Sequence, residues 1–210
     1  MLFAAAEKLN IEYHVIDLFS GEQCQPAFTG VNPNQAVPFL KDNDFRLAES
    51  SAILKYLADK QKSPAYPADP RERARINERM DWFNTGLYRD LGYGLVYPQV
   101  LDSYRHADSG VQSASLAQAR ERTRKWLKIL DEHFIGPQNS YVCGPRLTLA
   151  DFLGVCMITL GDVIRLDYSA YPNLSRWLAT MKAVSYWEDM NDAFYTYFVG
   201  AYKDTPFEGL

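Results

Sequence analysis

Three prolines fall within seven residues, at Pro64, Pro67 and Pro70. Each lacks a backbone N–H and holds φ near one value, so neither a helix interior nor a central strand can run through them. The chain therefore has to be organised as two parts around this segment. Residues 1–62 change hydrophobic period several times, as a small mixed α/β unit does. Residues 71–210 keep a helical period almost throughout. The predicted layout is a small α/β domain over 1–62, a Pro-rich linker over 63–70 and an all-α domain over 71–210.

The chain has 210 residues, 47% apolar and 23% charged, the balance of a globular protein. At this length folding buries roughly 70% of the unfolded chain's surface, so no disulfide or metal staple is required. The net charge is −4, and the charge is not segregated. Residues 1–62 hold 6 basic and 8 acidic side chains and the remainder hold 16 and 18, so each part is −2. A partner bound through its phosphates calls for a basic excess, so nucleic acid is not an expected partner. Three scattered cysteines (Cys24, Cys143, Cys156) and three histidines without ligand spacing give no disulfide framework and no metal site. Cys24 is read as an incidental thiol. No run of 18 apolar residues is present, and Met1–Ala6 is cut off by Glu7 and Lys8 without a basic leader. The expected setting is reducing and cytoplasmic.

In the first part, Leu2 to Leu9 read as the end of a helix stopping at Asn10. Ile11 to Leu18 alternate and predict a strand. Residues 21–31 read as loop or short helix. Val37-Pro38-Phe39-Leu40 and Phe45-Arg46-Leu47, joined through Asn43-Asp44, predict a hairpin. Glu49-Ser50-Ser51 precedes Ile53, Leu54 and Leu57 at helical spacing, a helix start. In the second part Ile76, Met80, Phe83, Leu87 and Leu91 form one stripe on a long helix, and Leu116, Trp126, Leu127, Leu130 and Phe134 mark another. Thr148 with Asp151 predicts a capping box ahead of Phe152, Val155 and Ile158. Leu174 to Met181 and Trp187 to Phe198 predict two more helices.

Two segments carry candidate chemistry. In Asn32-Pro33-Asn34-Gln35-Ala36-Val37-Pro38-Phe39-Leu40 a proline follows Val37 at the head of a strand. This is either a plain edge strand or a cis Val–Pro unit that leaves the backbone of Val37 free for an extended, peptide-like ligand. In Leu47-Ala48-Glu49-Ser50-Ser51-Ala52-Ile53, Glu49 can accept an ammonium group, and Ser50 with the free N–H groups of a helix start can take a carboxylate. The plain alternative is an N-cap beside a solvated glutamate.

Taken together and in this order, the "NPNQAVPFL" and "LAESSAI" segments, the Pro-rich linker and the "LTLADF" segment resemble the glutathione transferase family over nearly the whole chain, closest to bacterial theta- or delta-like members. The resemblance implies a thioredoxin-like domain followed by an all-α domain. It implies glutathione as co-substrate and conjugation of its thiolate to a small apolar electrophile. The backbone of Val37 ahead of cis Pro38 is expected to pair with the cysteinyl part of glutathione. Glu49 and Ser50 are expected to hold the γ-glutamyl ammonium and carboxylate. Gln35 falls near the glycyl carboxylate and Gln23 near a further polar contact, while Ala36 stands where some relatives carry a lysine. A homodimer is implied, with Asn84 reaching toward the partner's site. Tyr88, Tyr93 and Tyr97 fall where the family walls its electrophile pocket, and core packing is the other reading of these rings. Phe194–Phe198 reads either as a cap over that pocket or as a bundle helix.

The sequence departs from the family plan at its start. The family's first strand, and the Ser, Tyr or Cys that hydrogen-bonds the glutathione sulfur, fall upstream of Met1. No catalytic residue is therefore assigned within the chain. A free thiol with a pKa near 8.5 is only a few per cent ionised at pH 7, so thiolate activation is the main chemical task. Three readings follow: a longer protein, a truncated product, or a non-catalytic binding or scaffold relative. The intact binding segments favour the first.

Overall fold

The computed structural model describes residues 1–18 and 20–210. Helix α1 (Leu2–Ala6) is followed by a 3-10 turn at Glu22–Cys24 and a short helix α2 (Pro26–Thr29). Strands β1 (Phe39–Asp42) and β2 (Phe45–Ala48) form an antiparallel hairpin, with Phe39 opposite Ala48 and Asp42 opposite Phe45. Asn43 takes the left-handed φ of 57° that the tight turn needs. Helix α3 (Ser50–Gln61) runs back along the hairpin and is tied to it where Tyr56 and Lys60 both donate to Asp42, the tyrosine at 2.7 Å. This is a small thioredoxin-like unit whose two-stranded sheet is all the sheet found among the described residues.

The strand expected over Ile11–Leu18 is not formed. Alternation alone does not make a strand, because its N–H and C=O groups need a neighbouring ladder. None runs beside this segment among the described residues. The segment has no regular structure, with Tyr13, Val15 and Leu18 exposed rather than one face buried.

Non-helical chain over residues 62–69 leads to helix α4 (Pro70–Trp82). Asp69 caps it, accepting from the N–H groups of Arg71 at 3.0 Å and Glu72 at 2.9 Å, with Pro70 at the first helical position where no N–H is needed. The helix continues as wide π turns over Phe83–Leu87 and Arg89–Val96 into α5 (Tyr97–Val100). Helix α6 (Ser109–Ile129) ends in a similar turn at Leu130–Ile135. The α4 extension lies close against α6: a Cβ at Gly94 would stand 2.9 Å from the Cβ of Ala119, so only glycine permits this approach. Helices α7 (Leu149–Ile158), α8 (Pro172–Lys182) and α9 (Trp187–Ala193) complete the bundle.

Asp151 sits at its centre. It is fully buried and accepts from Val142 N–H at 2.8 Å, Thr148 N–H at 2.9 Å, the Thr148 hydroxyl at 2.9 Å and Trp177 Nε1 at 2.9 Å. The expected capping box is thus present, and its acid also fastens α8 and the preceding loop to α7. The small unit joins this core through α1: the Phe3 ring packs edge-on to Phe152 at 5.5 Å. The Ser63 hydroxyl donates to Glu7 at 2.5 Å, and Leu149 N–H donates to the Ala65 carbonyl at 3.1 Å.

Candidate functional site

The hairpin register assembles the candidate residues. The ladder ends with Phe39 opposite Ala48, so Val37-Pro38 leads directly into one strand at the same end where Glu49-Ser50 leaves the other. The two segments, apart in sequence, therefore meet at the open end of the hairpin. The Val37–Pro38 bond is cis. Val37 is 43% exposed, and neither its N–H nor its C=O has a hydrogen-bond partner among the described residues. A free donor and acceptor on one residue are what an extended peptide ligand pairs with.

Glu49, not a serine, is the residue at the helix cap. Its carbonyl accepts from Ile53 N–H at 2.9 Å, and Ser50 is the first helical residue. Glu49 takes φ 68° and ψ 115°, a region that costs a side-chain-bearing residue about 1–3 kcal/mol. Its exposed carboxylate makes no hydrogen bond or ion pair among the described residues. Nor does the half-buried Ser50 hydroxyl, beside the open N-terminal N–H groups of the twelve-residue α3. An anion acceptor and a cation acceptor thus sit side by side, the arrangement a zwitterionic α-amino acid end requires.

Gln35 is exposed and also has a left-handed φ, 54°. The turn that carries it is fixed by buried Asn32, whose side-chain amide donates to the Ala36 carbonyl at 2.7 Å and whose carbonyl oxygen accepts from Asn34 N–H at 3.2 Å. Gln23 lies in the Glu22–Cys24 turn, half-buried, with its Oε1 buried and unpartnered. Nothing ties it directly to Val37 or Glu49. Cys24 is exposed beside it. Cys143 is half-buried, and burial pushes its thiol up to about 11, so it is a poor nucleophile at neutral pH. No group of three or more His, Cys, Asp or Glu side chains placed to hold a metal ion occurs among the described residues. No helix among them is long and apolar enough to cross a membrane.

Four tyrosine rings form a cluster on the α4 extension. Tyr93 packs on Tyr88 at 5.4 Å and on Tyr97 at 5.2 Å. Tyr104, from the 3-10 turn Asp102–Tyr104, closes the group against Tyr93 at 5.8 Å and Tyr97 at 5.2 Å. The Tyr88 and Tyr97 hydroxyls bond each other. Burial raises both phenols above their ordinary value, Tyr88 strongly. Tyr93 and Tyr104 are half-exposed. Tyr104 lies beyond the end of the helix, out of any helical spacing with Tyr97, and only its aromatic character hinted at a place in the cluster. The Phe194–Phe198 segment belongs to the bundle instead. Tyr195 donates to Asp162 at 2.8 Å, which also holds Lys182 at 2.8 Å, and Phe194 and Phe198 pack on the core.

Residues 1–59 match the family described as Glutathione S-transferase, N-terminal domain, and residues 96–184 match Glutathione S-transferase, C-terminal domain. Over 190 residues the chain is 32% identical to human Glutathione S-transferase theta-1, covering 87% of this chain and 76% of that relative. The structure of human glutathione-S-transferase T1-1 in its apo form matches with a TM-score of 0.81 at 28% identity, over 99% of this chain and 86% of the other. A delta-class glutathione transferase of Nilaparvata lugens matches with a TM-score of 0.77 at 32% identity, over 96% and 91%.

Proposed function

Because this chain belongs to the glutathione S-transferase family, we propose that it binds glutathione at the open end of its hairpin and conjugates the thiolate to a small apolar electrophile. Val37 pairs through its backbone with the cysteinyl unit. Glu49 receives the γ-glutamyl ammonium, and Ser50 with the first N–H groups of α3 receives its carboxylate. Gln35 lies toward the glycyl end, and the unpartnered Gln23 amide supplies a further polar contact. The tyrosine cluster walls the acceptor side. The protein works as a cytoplasmic homodimer, with half-buried Asn84 directed toward the partner's site.

The observation that carries this reading is the shared end of the hairpin: an unpaired Val37 backbone just ahead of β1, and a strained, unpartnered Glu49 with a free Ser50 just after β2. Strained backbone of this kind clusters at ligand clamps and active sites. Calorimetric titration with glutathione tests the assignment. Glu49→Ala is expected to weaken binding by about 1.5–3 kcal/mol, the scale of a hydrogen bond to a charged group. An unchanged affinity removes Glu49 from the site.

A further inference from the structure

One residue holds the segment between α2 and β1 together. Asn32 is 1% exposed, an unusual place for an amide side chain unless its polar atoms are used. Its N–H donates to the Phe28 carbonyl at 2.9 Å, and its carbonyl accepts from Gln35 N–H at 3.2 Å. Its side-chain oxygen accepts from Asn34 N–H at 3.2 Å, and its side-chain amide donates to the Ala36 carbonyl at 2.7 Å. The two ends of the segment also meet, the Phe28 and Phe39 rings packing edge-on at 6.5 Å. These bonds fasten the turn as far as Ala36 and stop one residue short of Val37, whose N–H and C=O stay free. Gln35 is left on the outside of the turn, exposed and at its left-handed φ of 54°. A side-chain-bearing residue keeps such an angle where its surroundings impose it, and here the bonds of Asn32 to residues 34, 35 and 36 do so.

We infer that Asn32 is a positioning residue that sets the length of thiol peptide the site accepts, by fixing Gln35 against Val37 so that a peptide ending in glycine is taken in preference to one a methylene longer. The inference rests on the glutathione reading above and deepens it. Asn32 itself meets no ligand atom. With the γ-glutamyl end at Glu49 and the cysteinyl unit on Val37, the peptide runs on past Ala36 toward Gln35. Two residues of chain span at most about 7 Å, and a cysteinyl-glycyl unit spans the same distance. The Gln35 amide therefore meets the terminal carboxylate of a peptide whose last unit is a single α-amino acid. A loose turn would follow a longer end outward. A turn fastened at three successive residues by a buried side chain cannot follow it without breaking those bonds. An added methylene then costs either the contact of the carboxylate or a bond of the clamp. The same fastening favours the fitting peptide, because binding no longer has to order the turn.

The test titrates the protein calorimetrically with glutathione and with γ-glutamylcysteinyl-β-alanine, which carries one more methylene before its terminal carboxylate. The unsubstituted protein is expected to favour glutathione by about tenfold, the scale of one misplaced methylene or one lost hydrogen bond to a charged group. Asn32→Ala is expected to weaken glutathione by about two- to tenfold, and to shrink the preference to about threefold or less. Asn32→Asp keeps the shape and the bond from Asn34 but cannot donate to Ala36, and should fall between the two. Glu49→Ala should weaken both peptides alike and leave the preference intact, which separates a fixed length from a general loss of affinity. Equal binding of the two peptides by the unsubstituted protein, or a full preference kept by a folded Asn32 variant, overturns the inference alone. Amide exchange on the unsubstituted protein gives a check that needs no variant. The Asn34 and Gln35 amides should be protected before any peptide is added, and exchange at the intrinsic rate until glutathione is present overturns the inference as well. A protein that binds neither peptide overturns the glutathione reading and this inference together.

Discussion

From Ala65 onward the chain buries apolar residues on every helix of the bundle, around Phe83, Leu91, Leu127, Leu149 and Trp177. Ahead of that point the buried apolar side chains among the described residues are Leu2, Phe3, Ala4, Phe28 and Ala58, and Phe45 and Val37 are left exposed at the hairpin. The polar arrangement runs the other way. The bundle satisfies its central acid with four donors, while the hairpin end keeps an unpaired backbone and a strained glutamate in the open. Stability is concentrated in one region and open polar groups in the other. The contact of α1 with α7 and the Ser63–Glu7 bond let the second borrow from the first.

The largest expected break of this contrast is Asp151→Ala. It strands buried donors on Val142, Thr148 and Trp177, and losing about 1–3 kcal/mol for each unsatisfied group predicts a drop of about 4 kcal/mol in urea unfolding. An effect below about 1 kcal/mol would deny the acid its central place. A smaller and opposite effect is expected at the hairpin. Glu49→Gly relieves φ 68° and should raise stability by about 0.5–1 kcal/mol while lowering glutathione affinity. Loss of both together would mean that Glu49 holds the fold rather than the ligand. The smallest effect concerns acid. The Lys60 and Tyr56 hydrogen bonds hold the Asp42 carboxyl below its ordinary value. A lowered carboxyl contributes stability above its unfolded pKa, near 3.9, and loses it as pH falls through the folded value. Amide protection in β1 and around Tyr56 and Lys60 of α3, measured relative to the intrinsic exchange rate at each pH, should therefore fall below about pH 4, and Asp42→Asn should remove that dependence.

The sequence was legible wherever local chemistry decides structure. Apolar spacing of three and four marks α4, α6 and α8, Thr148 with Asp151 marks the start of α7, and Asn43-Asp44 marks the hairpin turn. It was not legible where the partner is remote. The alternation of Ile11–Leu18 says nothing about whether a strand lies beside it. The close approach of Gly94 is to Ala119 on another helix, beyond any local spacing. The candidate site divides the same way. Val37, Pro38, Glu49 and Ser50 were identifiable from residue type and resemblance, but the backbone angle of Glu49 and the addition of Tyr104 to the cluster arise only from tertiary placement.

A crystal structure of this chain with glutathione tests the central claim most directly. The account predicts two backbone hydrogen bonds between Val37 and the cysteinyl unit, with the γ-glutamyl end seated between Glu49 and the first turn of α3. Glutathione seated elsewhere, with Val37 unpaired and Glu49 turned to solvent, would contradict it.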